Sequence, residues 1–257
     1  METVHFLGRV LPPVAKITVG YDPTIQWKEP ALLDFEPSFV VHIKDSNVDV
    51  ECQLDAFRLD RYIGLYTRAF DLARAAVDLV ALSTGFSLTV SFETFVYPDG
   101  KHDPILFSNP VLGALCTAFQ VGTSAGKDFD AVYKIVVGDF QIFMALRDLI
   151  DANTLPHIGV INCGRVLDGI KRMISPTEKN QPRAWAAMQT ALNISQPYQQ
   201  WVTDLSANPR HADRSHITGV DTTEALTRTW RVMNRFLEYK KRGNAPLTAP
   251  DFPVLNP

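Results

Sequence analysis

The spacing of apolar residues changes from a two-residue period to a helical period partway along the chain. Before residue 100, apolar and polar residues alternate in several short runs, as in strands with one buried face. From residue 129 onward, apolar residues recur at three- and four-residue spacing, as in packed helices. The 257 residues suffice for two domains. The sequence therefore predicts an α+β fold: a small, mostly antiparallel sheet with a long helix, then an all-α helical bundle.

The first 125 residues are predicted to form one α+β module. A helical pattern from Leu59 to Leu82 is closed by Gly85. Asp45-Ser46 is suited to a hairpin turn between two of the predicted strands. The predicted strands are 14–20, 38–44, 47–54 and 86–97.

Residues 129–243 are predicted to form a compact bundle of four helices. Pro209 is expected to stop or kink the third helix, and Asp221 to cap the fourth with Glu224 completing a capping box. The proline-rich residues 244–257 are expected to form an extended tail. The predicted helices lie near 129–152, 156–174, 182–206 and 221–242.

The stretch GTSAGKD (122–128) is interpreted as a linker and not as a phosphate-binding P-loop. Three residues separate its glycines where the motif needs four, and Asp128 follows Lys127 where the motif has Ser or Thr. A carboxylate at that position would repel phosphate.

Charge is unevenly divided between the two halves. Residues 1–155 carry 12 basic and 20 acidic side chains, a net charge of −8, whereas residues 156–257 carry 13 and 8, a net charge of +5. A basic half suggests contact with phosphates. Ordinary scatter of surface charge is the alternative.

Composition favours a cytoplasmic protein without cofactors. No uncharged apolar run is long enough for a membrane span, and the first residues lack a signal-peptide pattern. Cys52, Cys116 and Cys163 are widely spaced in apolar settings and are expected to be reduced. No Cys or His pair has zinc-ligand spacing with a matching second pair, so no metal is predicted.

The segment NPRHADRSHI (208–217) concentrates polar chemistry between the third and fourth predicted helices. It places two arginines, two histidines and an aspartate within seven positions. Histidine can take or give a proton near neutral pH, and arginine presents a permanent charge to phosphate oxygens. A polar loop is the structural alternative, with Arg210 and Arg214 paired to Asp204, Asp213 or Asp221.

This segment resembles the motif of the HEPN family (higher eukaryotes and prokaryotes nucleotide-binding domains): an arginine, a polar residue and, a few residues later, a histidine. The resemblance covers roughly residues 130–243. It implies that His216 is the acid/base, that Arg210 clamps phosphate, and that His211 orients the substrate or the catalytic pair. The further arginines expected to contact RNA phosphates are Arg214, Arg228, Arg231 and Arg235.

The resemblance implies a metal-independent endoribonuclease of the toxin or anti-phage abortive-infection kind. It also implies a homodimer through the C-terminal bundle, with RNA as substrate. The N-terminal module is then expected to sense or bind a partner. Two alternatives stay open: a non-catalytic scaffold or adaptor that dimerises and binds a protein through the N-terminal module, and a module that binds RNA without cleaving it.

Overall fold

The computed structural model divides the chain into two compact units, Met1–Ser108 and Asn109–Pro257. It describes residues 1–19, 24–26, 36–106, 110–119, 126–210 and 217–257, with the backbone alone at 24–26, 110, 126–127, 156–157 and 210. The units divide earlier than the boundary near residue 125 that the sequence indicates. The α+β fold class is confirmed.

The first unit contains a six-stranded antiparallel sheet in the order β2-β3-β4-β1-β5-β6. The predicted hairpin is confirmed, with both of its strands at the predicted bounds. The prediction of a strand at 14–20 is wrong, because Pro13–Ala15 forms a 3-10 turn. The strands are β1 (Glu2–Leu11), β2 (Thr24–Gln26), β3 (Ser38–Lys44), β4 (Asn47–Leu54), β5 (Thr89–Val96) and β6 (His102–Pro104).

One face of this sheet packs against the long helix α1 (Tyr62–Thr84). Four helix residues, Leu65, Ala69, Ala73 and Val77, are fully buried at four-residue spacing. Gly85 ends the helix in the left-handed conformation, with φ of 72°. The ring of Phe6 on β1 lies among four aromatic rings at centroid distances of 5.0 to 5.9 Å. Such contacts add to the free energy gained by burying each ring.

A β-bulge interrupts the pairing of β1 with β5. Leu7 pairs with Thr94 and Gly8 with Phe92, so Glu93 is the extra residue on β5. A Cβ atom at Gly8 would lie 2.1 Å from the carbonyl oxygen of Ser91. Any side chain at position 8 would therefore force the backbone of β5 to move. Because the bulge shifts the alternation of β5, both Phe92 and Phe95 face the core.

The second unit contains seven helices among its described residues. Two predicted helices are each broken in two. Asp139 stops the first and caps the next by accepting a hydrogen bond from the Gln141 amide at 2.9 Å, and Asn193 adopts the left-handed conformation between the other pair. The helices are α2 (Pro110–Ala114), α3 (Gly126–Gly138), α4 (Phe140–Thr154), α5 (Pro156–Ile174), α6 (Gln181–Leu192), α7 (Gln196–Arg210) and α8 (Gly219–Lys241).

Residues 110–119 belong to the helical unit because α8 binds them. The buried Asn234 accepts hydrogen bonds from the amides of Thr117 and Ala118 at 2.8 and 2.9 Å. Lys241 donates to the carbonyl of Ala118 at 2.6 Å. Leu112 and Ala118 lie in the core of this unit. Gly126 to Asp128 are also helical, so the predicted linker is wrong for its last three residues.

The C-terminal residues 244–257 lie along the helical bundle without forming a helix. Leu247 is buried, and the backbones of Asn193 and Ser195 pair with that of Leu255. Arg235 on α8 fixes this segment: its Nη1 donates to the carbonyls of Leu192 and Asn193 at 2.9 and 2.7 Å, and its Nη2 donates to the carbonyl of Pro253. One guanidinium thus joins α6, α8 and the tail.

Among the described residues, no helix is both long and apolar enough to cross a membrane.

Substituting Gly8→Ala should destabilise the first unit. The added methyl must displace β5, so we expect the free energy of unfolding to fall by about 3 kcal/mol, at the upper end of overpacking costs. Differential scanning calorimetry would measure the change. Gly138→Ala is the control, since a Cβ there meets nothing within 4 Å. An unchanged first-unit transition in Gly8→Ala would contradict the bulge geometry.

Substituting Arg235→Ala should destabilise the helical unit. The substitution leaves three partly or fully buried carbonyls without the hydrogen bonds that Arg235 donates to them. We therefore expect the free energy of unfolding to fall by about 3 kcal/mol. Urea unfolding followed by tryptophan fluorescence would report it, because Trp185, Trp201 and Trp230 lie in this unit. The matched control is Arg231→Ala, which removes an exposed arginine from the same helix and should stay within about 0.5 kcal/mol. Equal losses of unfolding free energy in both variants would argue against a stabilising role for the hydrogen bonds of Arg235.

Candidate functional site

The HEPN-like segment connects the end of α7 to the start of α8. His211, Arg214 and His216 lie outside the described residues, as does the side chain of Arg210. Arg210, of which the backbone alone is described, is the last residue of α7. The structure therefore describes the two ends of the segment, and the catalytic roles of Arg210, His211 and His216 stay predictions.

Pro209 does not stop α7, so of the two effects expected of it, a stop or a kink, the stop is wrong. The helix continues through it to Arg210. A proline in the last turn removes one hydrogen-bond donor and constrains the preceding residues, but here its ring is buried, which offsets part of that loss. Arg210 is consequently held on the helix, and not in the loop.

Helix α8 begins at Gly219, two residues before the predicted start near residue 221. Thr218 is the N-cap, and Asp221 occupies the third helical position of a capping box. The Asp221 amide donates to Thr218 Oγ1 at 3.2 Å, and the Thr218 amide donates to Asp221 Oδ2 at 3.0 Å. The Thr218 amide and hydroxyl both donate to the Asp221 carboxylate, and these two bonds hold the pKa of Asp221 below its usual value. The predicted Asp221 and Glu224 box is wrong, because Glu224 instead pairs with Arg228.

The first turns of α5 and α8 contact each other. A Cβ at Gly159 would lie 3.3 Å from Thr222 Cγ2 on α8 and 2.9 Å from the Ala152 carbonyl on α4. His157 is in this first turn of α5, with its backbone alone described. Two helix N-termini therefore lie close to each other, and their partial positive charges favour an anion nearby.

Arg228 is enclosed by its neighbours. Its Nε donates to Glu224 Oε1 at 2.7 Å, and its guanidinium lies over the rings of Tyr198 and Trp201 at 5.0 and 4.6 Å. Its side chain is 11% exposed. The charge is balanced by Glu224 and screened by two rings, so a phosphate reaches it only by displacing them.

Arg235 has a structural role in this fold. The residue is 6% exposed, and burial lowers the pKa of its guanidinium. Its donors are occupied by the main-chain carbonyls of α6 and the tail. Phosphate contact at Arg235 would require the tail to leave.

Arg231 is the exposed member of the predicted phosphate-binding set on α8. It lies beside Tyr198, whose pKa is raised by burial while Arg231 and Arg228 oppose that rise. At 1.5 Å per residue, Arg231 is about 18 Å along the helix axis from the first residue of α8. An RNA strand that touched both Arg231 and the HEPN-like segment would span several nucleotides.

The sequence did not indicate a cleft on the sheet face opposite α1. Its volume is about 370 Å³. On one side the bulge brings Glu93 to Arg9, with an Nε to Oε1 distance of 3.3 Å. On the other side His5 and Asp49 form a hydrogen bond of 2.9 Å. The charged lining is mixed in sign, with Arg9, Lys44, Asp49 and Glu93 around Leu7.

Among the residues that the structure describes, no three His, Cys, Asp or Glu side chains lie close enough together to hold a metal ion. The three thiols are free; Cys52 and Cys163 are buried, and burial raises the pKa of Cys163 to about 11.

Two family models match the chain. Residues 4–106 match the N-terminal domain of a family described as domain of unknown function DUF8168, and residues 129–241 match the C-terminal domain of that family. Neither description names a HEPN domain, so that resemblance stays a prediction. No curated protein and no solved structure matches the chain. Because the two matches together span most of its length, the protein belongs to the DUF8168 family and carries both of its domains.

Proposed function

We propose that the helical domain is a metal-independent endoribonuclease whose active site is the segment from Arg210 to His216. One observation carries the proposal: the segment starts on the last helical residue of α7 and ends just before the capped first turn of α8. The two helices that flank it, α7 and α8, both pack on α5. This placement supports a site with fixed ends.

The chemistry needs a proton acceptor, a proton donor and a clamp for charge. A base takes the proton of the RNA 2′-hydroxyl as its oxygen attacks the adjacent phosphorus. The bond from phosphorus to the 5′-oxygen breaks, an acid protonates that leaving oxygen, and a 2′,3′-cyclic phosphate and a 5′-hydroxyl remain. In this proposal His216 serves as acid/base, Arg210 binds the non-bridging oxygens, and His211 orients them. The requirement for a 2′-hydroxyl restricts the substrate to RNA.

The neighbouring positive charges suggest the course of the RNA strand from this site. The first turns of α5 and α8 favour a phosphate at the segment, and Arg214 lies within it. Arg231 extends the basic surface along α8, whereas Arg228 and Arg235 support the fold beneath it. The RNA strand is therefore proposed to leave the site along α8 toward Arg231.

The setting proposed for this activity is cytoplasmic defence of the abortive-infection or toxin kind, as the HEPN resemblance implies. The first unit then serves as the sensing or partner-binding module. Its cleft on the sheet face opposite α1 is the described feature that suits such a role.

Purified protein should cleave a mixed tRNA and mRNA pool in EDTA. We expect products with 2′,3′-cyclic phosphate ends, and a loss of at least about a hundredfold in rate for His216→Ala and Arg210→Ala, since general acid–base catalysis contributes that much. Gel electrophoresis with end-group analysis measures both. His102→Ala is the control, because this histidine is exposed on β6 in the other unit.

Cleavage that persists in His216→Ala, or RNA left intact by wild-type protein, would reject the active site. An adaptor is then the better description, and the cleft near Arg9 and Asp49 favours it. Binding of RNA that weakens with salt but leaves the RNA intact would instead indicate a nucleic-acid-binding module.

A further inference from the structure

The cleft on the sheet face opposite α1 has one positive end. Strand register places Arg9, Asn47 and Lys44 side by side across β1, β4 and β3, and all three line the cleft. Because neighbouring strands lie about 4.8 Å apart, the backbones of the two cationic residues are about 10 Å apart, with Asn47 between them. These three residues form a cationic row at the end of the cleft nearest the β3–β4 turn.

The carboxylates of the cleft lie further from this turn. Leu7 pairs with Asp49 across β1 and β4, two residues from the cationic row on each strand. Glu93, the extra residue of the β-bulge, lies between the partners of Leu7 and Gly8 on β5. Two residues of a strand span about 7 Å. Asp49 and Glu93 therefore form an acidic row, on either side of Leu7 and about 7 Å from the cationic row.

The backbone that carries the cationic row is held in place by hydrogen bonds. Ser46, in the β3–β4 turn, is buried. Its carbonyl accepts from the Val10 amide at 2.8 Å, its amide donates to the Ile17 carbonyl at 2.7 Å, and its Oγ accepts from the Ile17 amide at 2.9 Å. Lys44 and Asn47 flank this turn and thus extend from a fixed backbone. A fixed backbone lowers the entropic cost of binding a ligand.

The charged side chains of the cleft are accessible to a ligand. The Nε of Arg9 lies 3.3 Å from Glu93 Oε1, and the two side chains are 53% and 47% exposed. Asp49 Oδ1 lies 2.9 Å from His5 Nδ1, and the Asp49 side chain is 39% exposed. Ion pairs this exposed contribute little to the stability of the fold. A charged ligand can therefore replace these contacts at a small cost.

We propose that this cleft binds a small linear zwitterion with the length and the two charges of a dipeptide. The ligand carboxylate lies between Arg9 and Lys44 and accepts hydrogen bonds from both. The ligand ammonium lies above Leu7 and donates to Asp49 and Glu93. Two extended residues span about 7 Å, which matches the distance between the two rows. The cleft volume of about 370 Å³ is at the small end of the range for ligand pockets.

The presence of both charges is the reason to choose a zwitterion over phosphate or another simple anion. An anion held by Arg9 and Lys44 would be repelled by the two carboxylates of the acidic row, whereas a zwitterion is attracted by both rows. An apolar ligand would remove the charged groups from water without giving them partners. The inference rests on the sensing role proposed for the first unit for its biological meaning, but the binding itself is independent of RNA cleavage.

Titration of the full chain with alanyl-alanine tests the proposal, with amide chemical shifts measured by nuclear magnetic resonance. We expect saturable shifts in the strands that line the cleft, at residues 7–9, 42–49 and 91–94. N-acetyl-alanyl-alanine lacks the ammonium, and alanyl-alanine amide lacks the carboxylate. Each of these two ligands should bind at least about fivefold more weakly than alanyl-alanine, because each loses its contacts with one row.

Matched variants assign each charge of the ligand to one row. Lys44→Gln should weaken binding of alanyl-alanine by about fivefold but leave binding of the amide unchanged, since the amide has no carboxylate. Asp49→Asn should weaken binding of alanyl-alanine similarly but leave binding of the N-acetyl form unchanged. Lys101→Gln and Glu51→Gln are the controls, because both residues lie outside the cleft lining. They should keep the dissociation constant within about twofold of wild type.

Three results would overturn the proposal. Alanyl-alanine could cause no saturable shift in the cleft. The N-acetyl form or inorganic phosphate could bind as tightly as alanyl-alanine, which would make the cleft an anion site. The variants could weaken all three peptide ligands equally, which would indicate a distorted cleft. Glu93→Gln takes the place of Asp49→Asn if that variant does not fold. RNA cleavage is measured separately, so failure of either proposal is recognisable without the other.

Discussion

Close packing around α5 sets the geometry of the helical unit. This helix contacts α4, α6, α7 and α8, and it buries Cys163, Val166, Leu167 and Ile170 completely. Glycine permits a close approach at one point: a Cβ at Gly159 would lie 2.9 Å from the Ala152 carbonyl oxygen on α4. Since α7 and α8 both rest on α5, the ends of the HEPN-like segment are fixed by contacts remote from its own residues.

The period of apolar residues predicted the helices and strands that bury one face, but it did not predict the positions at which one helix ends and the next begins. The β3–β4 hairpin, α1, α5 and α8 carry clear periods, and the structure has them close to the predicted bounds. The central strand β1 escaped prediction, although Val4, Phe6 and Val10 alternate as core residues. Each break depends on a single residue. The side chain of Asp139 caps the next helix, and the backbone of Asn193 adopts the left-handed conformation. Nothing in the period of the flanking residues marks them.

Residue type identified the cations of α8 but not their partners. Arg228, Arg231 and Arg235 are equivalent in the sequence, yet one stacks between rings, one faces solvent and one binds the tail. Which of these occurs depends on residues far along the chain, such as Tyr198 and Pro253. Some basic side chains of the second half, Arg228 and Arg235, therefore make contacts within the fold and do not face solvent. The HEPN-like segment itself was predicted from local pattern alone, and only its two ends can be compared with the structure.

The tail contact has a consequence for the order in which the two units fold during synthesis. The strands and α1 of the first unit all lie before residue 108, so they can pack together while the ribosome is still producing the helices of the second unit. The helical unit instead waits for Leu247, Pro253 and Leu255, which supply a buried side chain, a carbonyl for Arg235 and the bridge to Ile194. N-terminal units generally fold first as the chain emerges. A chain interrupted before residue 247 would thus contain a folded sheet unit and a helical bundle that lacks all of these tail contacts.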